Sequence, residues 1–181
     1  MLGANGHTGL RTTALRPFVI YGEGDRFYIG VLLNTRARFT GSYYFSACYI
    51  GNLVRWHLLA DKGLETKPEV VGGQVYFVAN DEEQTETIGE LNNFLIDTLK
   101  VKFTLPVNTI FFVLGRIMPA IDRLVCGKFN GEIFSAGPGS SLYIAHEARF
   151  NIAKGVRDLG YTTRFDKEAI KGRLQKFYNV S

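Results

Sequence analysis

A run of β-branched and aromatic residues near the N-terminus, residues 12–21 (TTALRPFVIY), constrains the fold more than any other feature. Its composition is typical of a strand rather than of a helix of several turns. Pro17 also lies where it would break a helix interior. The run ends in a turn-rich loop, GEGD, at residues 22–25. The sequence therefore predicts a strand that delivers the chain directly into a loop.

Three glycines precede this strand at intervals of three: Gly3, Gly6 and Gly9. The spacing is similar to the loop that cradles a dinucleotide pyrophosphate. Such a loop needs a buried strand before it and a helix after it, because the helix N-terminus offers free N–H groups to the phosphates. Here only two residues come before Gly3, and a strand follows Gly9. We interpret the glycines as a flexible turn that enters a strand.

The composition is that of one globular domain. The chain has 181 residues, of which 46% are hydrophobic and 21% are charged, and this balance argues against disorder. The 14 Phe and nine Tyr suit an apolar pocket or a plain core equally well. Lys and Arg cluster only in KEAIKGRLQK, which we interpret as the solvated face of a helix. With a net charge of only +4, no nucleic-acid partner is expected.

The two cysteines, Cys48 and Cys126, lie far apart in sequence and lack metal-ligand spacing. We therefore expect buried free thiols in a reducing compartment, and no metal site. Neither cysteine has a His partner nearby in sequence, so a thiol nucleophile has little support. A lone His on a helix, His57, is interpreted as a structural residue rather than a ligand or a base.

Helices are predicted after the strand and in the C-terminal third. Asp25 is expected to cap the first helix, and Asn52 is interpreted as the N-cap of a second helix that stops at Gly63. Gly160 is expected to end one tail helix, and Asp166 to cap another. A further amphipathic helix is predicted from apolar residues at spacings of three and four: Ile88, Leu91, Leu95 and Leu99.

The most apolar segment covers residues 106–121, with the sequence PVNTIFFVLGRIMPAI. It is shorter than the roughly 20 apolar residues of a spanning helix, and it carries Arg116. Two interpretations stay open. The segment is either a core helix or substrate lid, or an apolar helix that docks on a bilayer surface while Arg116 extends toward water.

Four blocks of the sequence carry a resemblance to a known family: TTALRPFVIYGEGD, CYIGNLVRWHLLA, GGQVYFVANDEE and ARFNIAKGVRDLGYTTRF. In this order they resemble the C-terminal half of the 3β-hydroxysteroid dehydrogenase/isomerase family, extended short-chain dehydrogenases that use NAD. The resemblance implies an α/β fold, a partial Rossmann-like, substrate-binding portion with a few strands and several helices. Residues 12–21 and 74–80 are then parallel strands of a larger Rossmann sheet.

The resemblance also implies how the chain is organised. Residues 1–181 form a single C-terminal fragment, with the end of the Rossmann core in residues 1–24 and mainly the substrate-binding part and tail helices in residues 25–181. The family's dinucleotide loop is expected upstream of the chain, as is the helix that carries its Tyr-x-x-x-Lys pair. No Tyr in this sequence has a Lys four positions later. We therefore assign no catalytic residue and expect the chain alone to be inactive.

Site residues are implied by the same resemblance. Contacts with the nicotinamide of NAD(P) are expected from one strand, which contains Arg16, Pro17, Phe18 and Val19. Contacts with the substrate are expected where strands end, at Tyr21, Gly22, Glu23 and Tyr49. Without its cofactor-binding half, the chain alone is expected to bind no cofactor.

Two functions are compatible with these sequence features. The first is the substrate-binding part of an NAD(P)-dependent 3β-hydroxysteroid or sterol dehydrogenase/isomerase-like oxidoreductase of steroid biosynthesis. The alternative is a non-catalytic protein that binds an apolar ligand or another chain. The resemblance implies a steroid or sterol partner and is compatible with a membrane surface and an oligomer. It also implies an intracellular location at the membrane of the endoplasmic reticulum or mitochondria; otherwise the location is cytoplasmic.

Overall fold

The computed structural model describes residues 2–38, 40–81, 86–102, 104–106 and 147–180. Most of the apolar segment and Cys126 lie outside these residues, so the two interpretations of that segment stay predictions. Among the described residues, none of the helices combines the length and the apolar character that crossing a bilayer requires.

Short strands and helices alternate along the described chain. Two 3₁₀ turns, Leu2–Ala4 and His7–Gly9, come first. The strands are β1 (Ala14–Pro17), β2 (Val19–Tyr21), β3 (Ala37–Arg38), β4 (Ala47–Tyr49), β5 (Val75–Val78) and β6 (Leu105–Pro106). The helices are α1 (Tyr28–Thr35), α2 (Ile50–Thr66), α3 (Pro68–Val71), α4 (Ile88–Thr98), α5 (Ala153–Leu159) and α6 (Lys167–Phe177).

The described strands pair in parallel. β1 pairs with β5, so that Ala14 lies opposite Val75, and β2 pairs with β4. β3 pairs with β6. The predicted α/β fold with parallel strands is therefore confirmed. The single strand expected over residues 12–21 is divided at Phe18, because the chain changes its pairing partner there from β5 to β4.

β4 separates the buried apolar residues into two clusters, because successive side chains of a strand point to opposite faces. Ala47 and Tyr49 belong to one cluster, and Cys48 between them belongs to the other. The first cluster also holds the predicted apolar face of α4, which is Ile88, Leu91, Leu95 and Leu99. Cys48 is a buried free thiol, as predicted.

Three predicted helix boundaries are confirmed. The Asp25 carboxylate accepts hydrogen bonds from the amides of residues 27–29 at 2.7–3.2 Å, which satisfies N–H groups that α1 cannot pair internally. Asp166 accepts one from the Ala169 amide at 2.9 Å at the start of α6. Gly160 follows α5 with φ 68°, a left-handed conformation that favours glycine.

Two predicted boundaries of α2 are wrong. The helix begins at Ile50, and Asn52 lies inside its first turn with a fully buried side chain that bonds to distant segments. Gly63 does not end the helix, which continues to Thr66. A Cβ at Gly63 would lie 2.9 Å from Val71, so glycine is needed there for close packing of α3.

Candidate functional site

A cavity of about 370 Å³ opens at the carboxyl end of β2. Its wall is formed by the end of β2, by the loop of residues 22–25, by the residues that lead into α1, and by Ile50. Three of the four predicted substrate residues line it: Tyr21, Gly22 and Glu23. The cavity volume lies in the range of small-molecule sites, about 300–1,000 Å³.

The loop of residues 22–25, called the pocket loop below, is held at both ends. At its far end Asp25 caps α1 through its carboxylate. At its near end Gly22 lies against Ile50, so closely that a Cβ on Gly22 would overlap the Ile50 side chain. Because Gly22 has no side chain, the pocket loop can pack directly against Ile50 in the wall of the cavity.

Tyr49, the fourth predicted substrate residue, is fully buried and does not line the cavity. Its hydroxyl lies 2.6 and 2.7 Å from the two carboxylate oxygens of Glu23, to which it donates. Its ring contacts those of Tyr21 and Phe165, with centroids 5.9 and 5.7 Å away. The structure thus brings the four predicted residues together, with Tyr49 behind the cavity lining and hydrogen-bonded to Glu23.

Arg173 of α6 completes this group. Its Nε donates to Glu23 Oε1 at 3.0 Å and to the Tyr49 hydroxyl at 2.8 Å, and its guanidinium lies 5.0 Å from the Phe165 ring centroid. Arg173 is absent from the predicted site because it follows Glu23 by 150 residues. The sequence around Arg173 shows only a basic segment, KEAIKGRLQK, in which this arginine cannot be distinguished from an ordinary solvent-exposed charge.

The pKa shifts define the protonation of the site at neutral pH. Burial, followed by the hydrogen bond to Glu23, raises the pKa of Tyr49 to about 12. Burial also raises the pKa of Tyr21, and the charge of Glu86 adds to this. Partial burial alone would raise the pKa of Glu23, but hydrogen bonds from Tyr49, from its own backbone N–H and from Arg173 lower it on balance. Both tyrosines therefore stay protonated, and Glu23 is an anion that accepts hydrogen bonds.

Asn80, just after β5, joins the ends of three strands. Its Nδ2 donates to the Tyr21 hydroxyl at 3.1 Å, and its Oδ1 accepts from the Tyr49 amide at 2.7 Å. Oδ1 also accepts from Asn52 at 3.1 Å, and the Asn80 carbonyl accepts from the Tyr161 hydroxyl at 2.8 Å. In open α/β sheets, ligands bind outside the carboxyl ends of the strands, and this is where the cavity lies.

The predicted cofactor residues lie along β1 and β2, outside the cavity lining. Arg16 is exposed, while Pro17, Phe18 and Val19 are half-buried. The Phe18 ring packs at a tilt on Phe150, with centroids 5.6 Å apart. Their contact with nicotinamide stays a prediction.

The glycine-rich start of the chain does not fit a pyrophosphate. Gly6 and Gly9 have φ of 85° and 80° around a 3₁₀ turn, and the chain then leads into a strand instead of a helix. The interpretation of these glycines as a turn is confirmed. Across the residues that the structure describes, no group of three His, Cys, Asp or Glu side chains is placed to hold a metal ion.

Comparison with known proteins identifies the family. The model of the 3-beta hydroxysteroid dehydrogenase/isomerase family matches residues 1–107, more than half of the chain. The chain belongs to this family. The match includes β1, β2, β4 and β5, and with them the pocket loop, Tyr49 and Asn80. Arg173 lies outside the matched residues, and its contacts with Glu23 and Tyr49 are shown by the structure.

Curated relatives of the family agree with this assignment. A sterol-4-alpha-carboxylate 3-dehydrogenase (decarboxylating) of Candida albicans is 28% identical over 93% of this chain and 50% of its own length. The 3beta-hydroxysteroid-dehydrogenase/decarboxylase isoform 1 of Arabidopsis thaliana is 34% identical over 92 residues, which are 45% of this chain and 21% of that protein. The 3 beta-hydroxysteroid dehydrogenase type 7 of Mus musculus is 39% identical over 40% of this chain and 22% of its own length. The chain thus spans half or less of each relative.

Solved structures show the same fold at low identity. RMD from Pseudomonas aeruginosa, solved in complex with NADPH, has a TM-score of 0.54 and is 15% identical, covering 99% of this chain and 52% of its own. The protein gox2253 has a TM-score of 0.61 at 15% identity, over 98% of this chain and 52% of its own. These neighbours support a Rossmann-like α/β fold for the family member described here.

Proposed function

We propose that this chain is the substrate-binding part of an NAD(P)-dependent dehydrogenase that acts on the 3β-hydroxyl of a steroid or sterol. The observation that carries the proposal is the cavity at the carboxyl end of β2, in a chain of the 3β-hydroxysteroid dehydrogenase/isomerase family. Relatives whose names specify sterol or 3β-hydroxysteroid substrates support the substrate class.

The chemistry of the cavity suits such a ligand. A sterol is a rigid apolar ring system with one hydroxyl, and the residues that line the cavity combine apolar side chains, including Ile20, Phe27 and Ile50, with the acidic Glu23. Ile20 and Phe27 stay 41% and 88% exposed, so a ligand that covers them removes apolar surface from water. Since an ionised carboxylate only accepts hydrogen bonds, Glu23 is suited to bind the hydroxyl of the ligand.

The cofactor is proposed from family membership, and the NADPH complex of RMD is consistent with it. A bound NAD(P)⁺ would supply the hydride acceptor for oxidation of a 3β-hydroxyl to a ketone. The described residues contain no pyrophosphate cradle, and Tyr21 and Tyr49 stay protonated at neutral pH. We therefore assign substrate binding to this chain and no step of hydride transfer.

Sterol binding is tested with dehydroergosterol, a fluorescent sterol that accepts energy from tryptophan. Trp56 is the one tryptophan of the chain, so transfer from it reports binding to this protein. We expect saturable transfer with the purified full chain. Ile20→Ser, in the cavity wall, is expected to raise the dissociation constant about fivefold, because part of one apolar contact is lost.

Leu58→Ser is the matched control, since Leu58 is 60% exposed on α2 and does not line the cavity. Its dissociation constant is expected to equal that of the wild type. Absence of saturable transfer with the wild type, or equal effects of the two substitutions, would contradict the proposed binding site.

A further inference from the structure

Helix α6 and the residue that follows it contact the pocket loop at three points. Arg173 bonds to Glu23 at 3.0 Å. The ring of Phe177 lies against Gly24, at 3.9 Å from the position of a Cβ there. Just after the helix, the Tyr178 hydroxyl donates to the Gly22 carbonyl at 3.4 Å. A helix that follows the loop by about 150 residues therefore covers it from one side.

We infer that Arg173 is a positioning residue, which holds the pocket loop in the conformation that forms the cavity and thereby couples α6 to ligand binding. The coupling to a sterol rests on the proposed function. The effect of Arg173 on the loop itself does not depend on which ligand the cavity takes.

Arg173 adds a long-range contact to the local hydrogen bond that the Glu23 carboxylate accepts from its own backbone N–H. Gly24 has φ 76° and leaves the loop backbone with more freedom than another residue would. Glu23 lies between the two glycines, and its carboxylate is bonded to Tyr49 and Arg173. Tyr49 is immobilised in the core, so Arg173 acts as the second support that fixes the direction of the carboxylate.

Arg173 is itself held in place. Its guanidinium lies over the Phe165 ring at 5.0 Å, and Nε is shared between Glu23 and Tyr49. The side chain is 54% exposed, however, so water screens the ion pair and moderates its strength. We therefore expect a local effect on the pocket loop, not the loss of the folded state.

Amide hydrogen exchange of the full chain measures the loop directly. We expect Arg173→Gln to increase exchange in residues 19–27 about twofold to fivefold, as an ion pair of this exposure would. The Asp25 amide, bonded to the Gly22 carbonyl at 3.3 Å, lies within this segment. Exchange in the buried turns of α2 is expected to stay unchanged. Arg173→Lys keeps the charge but loses the planar donor group, so it should restore part of the protection.

Arg157→Gln is the matched control. Arg157 is likewise an exposed arginine, bonded through Nε to Asp158 at 2.9 Å, but it lies on α5 away from the pocket loop. Exchange in residues 19–27 of this variant should equal that of the wild type. Unchanged exchange in Arg173→Gln, or an equal increase in both variants, would overturn the positioning role.

Dehydroergosterol binding then tests the coupling to the ligand. We expect Arg173→Gln to raise the dissociation constant by a similar twofold to fivefold, and Arg157→Gln to leave it unchanged. Faster exchange in the pocket loop of Arg173→Gln together with an unchanged dissociation constant for the sterol would overturn the coupling, while the proposed binding function stands. Conversely, a wild-type chain that binds no sterol while Arg173→Gln opens the loop would contradict the proposed function and support the positioning role.

Discussion

The amide oxygen of Asn52 accepts a hydrogen bond from the backbone N–H of Phe165 at 3.0 Å, although the two residues lie 113 positions apart. The Asn52 Nδ2 donates to the Phe165 carbonyl at 3.1 Å, so one side chain satisfies both backbone groups of Phe165. This pairing ties the first turn of α2 to the segment that leads into α6. It also brings Phe165 next to Tyr49 and Arg173, and so contributes to the architecture of the cavity.

Asn52→Ala should therefore destabilise the fold strongly. Asn52 is fully buried, and its removal leaves the N–H and carbonyl of Phe165 without the partner that satisfies them. We expect a loss of about 2–4 kcal/mol in the free energy of unfolding, measured by urea denaturation. Asn93→Ala, on the exposed side of α4, is the control and should change it by less than about 0.5 kcal/mol. Similar losses in both variants would contradict a structural role for Asn52.

Two helical glycines are expected to respond to alanine in opposite directions. A Cβ at Gly155 of α5 would lie 2.8 Å from the Trp56 ring, whereas a Cβ at Gly172 of α6 meets nothing within 4 Å. Gly172→Ala should raise the free energy of unfolding by about 0.5–1 kcal/mol, because alanine favours the helix. Gly155→Ala should lower it by about 1–3 kcal/mol through overpacking. Thermal unfolding of both variants measures this, and a shift of the same sign in both would refute the packing seen around Trp56.

The stability contributed by Glu23 should depend on pH in the acid range. Hydrogen bonds from Tyr49, from the Glu23 backbone N–H and from Arg173 outweigh partial burial and hold the folded pKa of Glu23 below its ordinary value of 4.5. A lowered folded pKa means that the contribution is present above pH 4.5 and is lost as the pH falls below it. The difference in unfolding free energy between the wild type and Glu23→Gln should thus be larger at neutral pH than in strong acid. A difference that grows on acidification would show that the sign is wrong; Glu65→Gln, exposed on α2, serves as the control.

The chain alone should show no dehydrogenase activity. No tyrosine has a lysine four positions later, and burial raises the pKa of Tyr21, which leaves its hydroxyl a poor base at neutral pH. Incubation of the purified chain with NAD⁺ or NADP⁺ and a 3β-hydroxysteroid should produce no reduced cofactor above a no-protein control. Turnover that Tyr21→Phe abolishes would reveal a proton-transfer group in this chain and reject the assignment of binding alone.

Much of the fold could be predicted because its signals are local. The period of three and four residues in α4, the cap Asp25 and the stop Gly160 each act within one or two helical turns. The parallel arrangement of β1 and β5 followed from the family resemblance and is confirmed. The predicted substrate residues Tyr21, Gly22 and Glu23 line one cavity because they are consecutive in sequence, but their role in binding stays a prediction.

The wrong predictions have a common cause. Asparagine favours the N-terminus of a helix and glycine its C-terminal end when no tertiary contact competes with this preference. For this reason Asn52 is predicted to be a cap and Gly63 a stop. In the folded chain, however, Asn52 bonds to Asn80 and Phe165, and Gly63 makes room for Val71. These tertiary contacts outweigh the local preference. Their partners cannot be identified from the residues next to Asn52 and Gly63 in the sequence.

The order of strands, helices and turns is thus encoded by short-range chemistry that can be recognised in the linear chain: β-branched runs, apolar periodicity, and capping groups. The convergence of Glu23, Tyr49 and Arg173 was decided by tertiary structure alone. It requires the end of β2, the end of β4 and α6 to meet, and this depends on the one buried cluster that contains Tyr21, Tyr49 and the α6 residues Ile170 and Leu174. A hydrogen bond across 150 residues has no local signature, because the energy that forms it comes from the packing that brings its partners together.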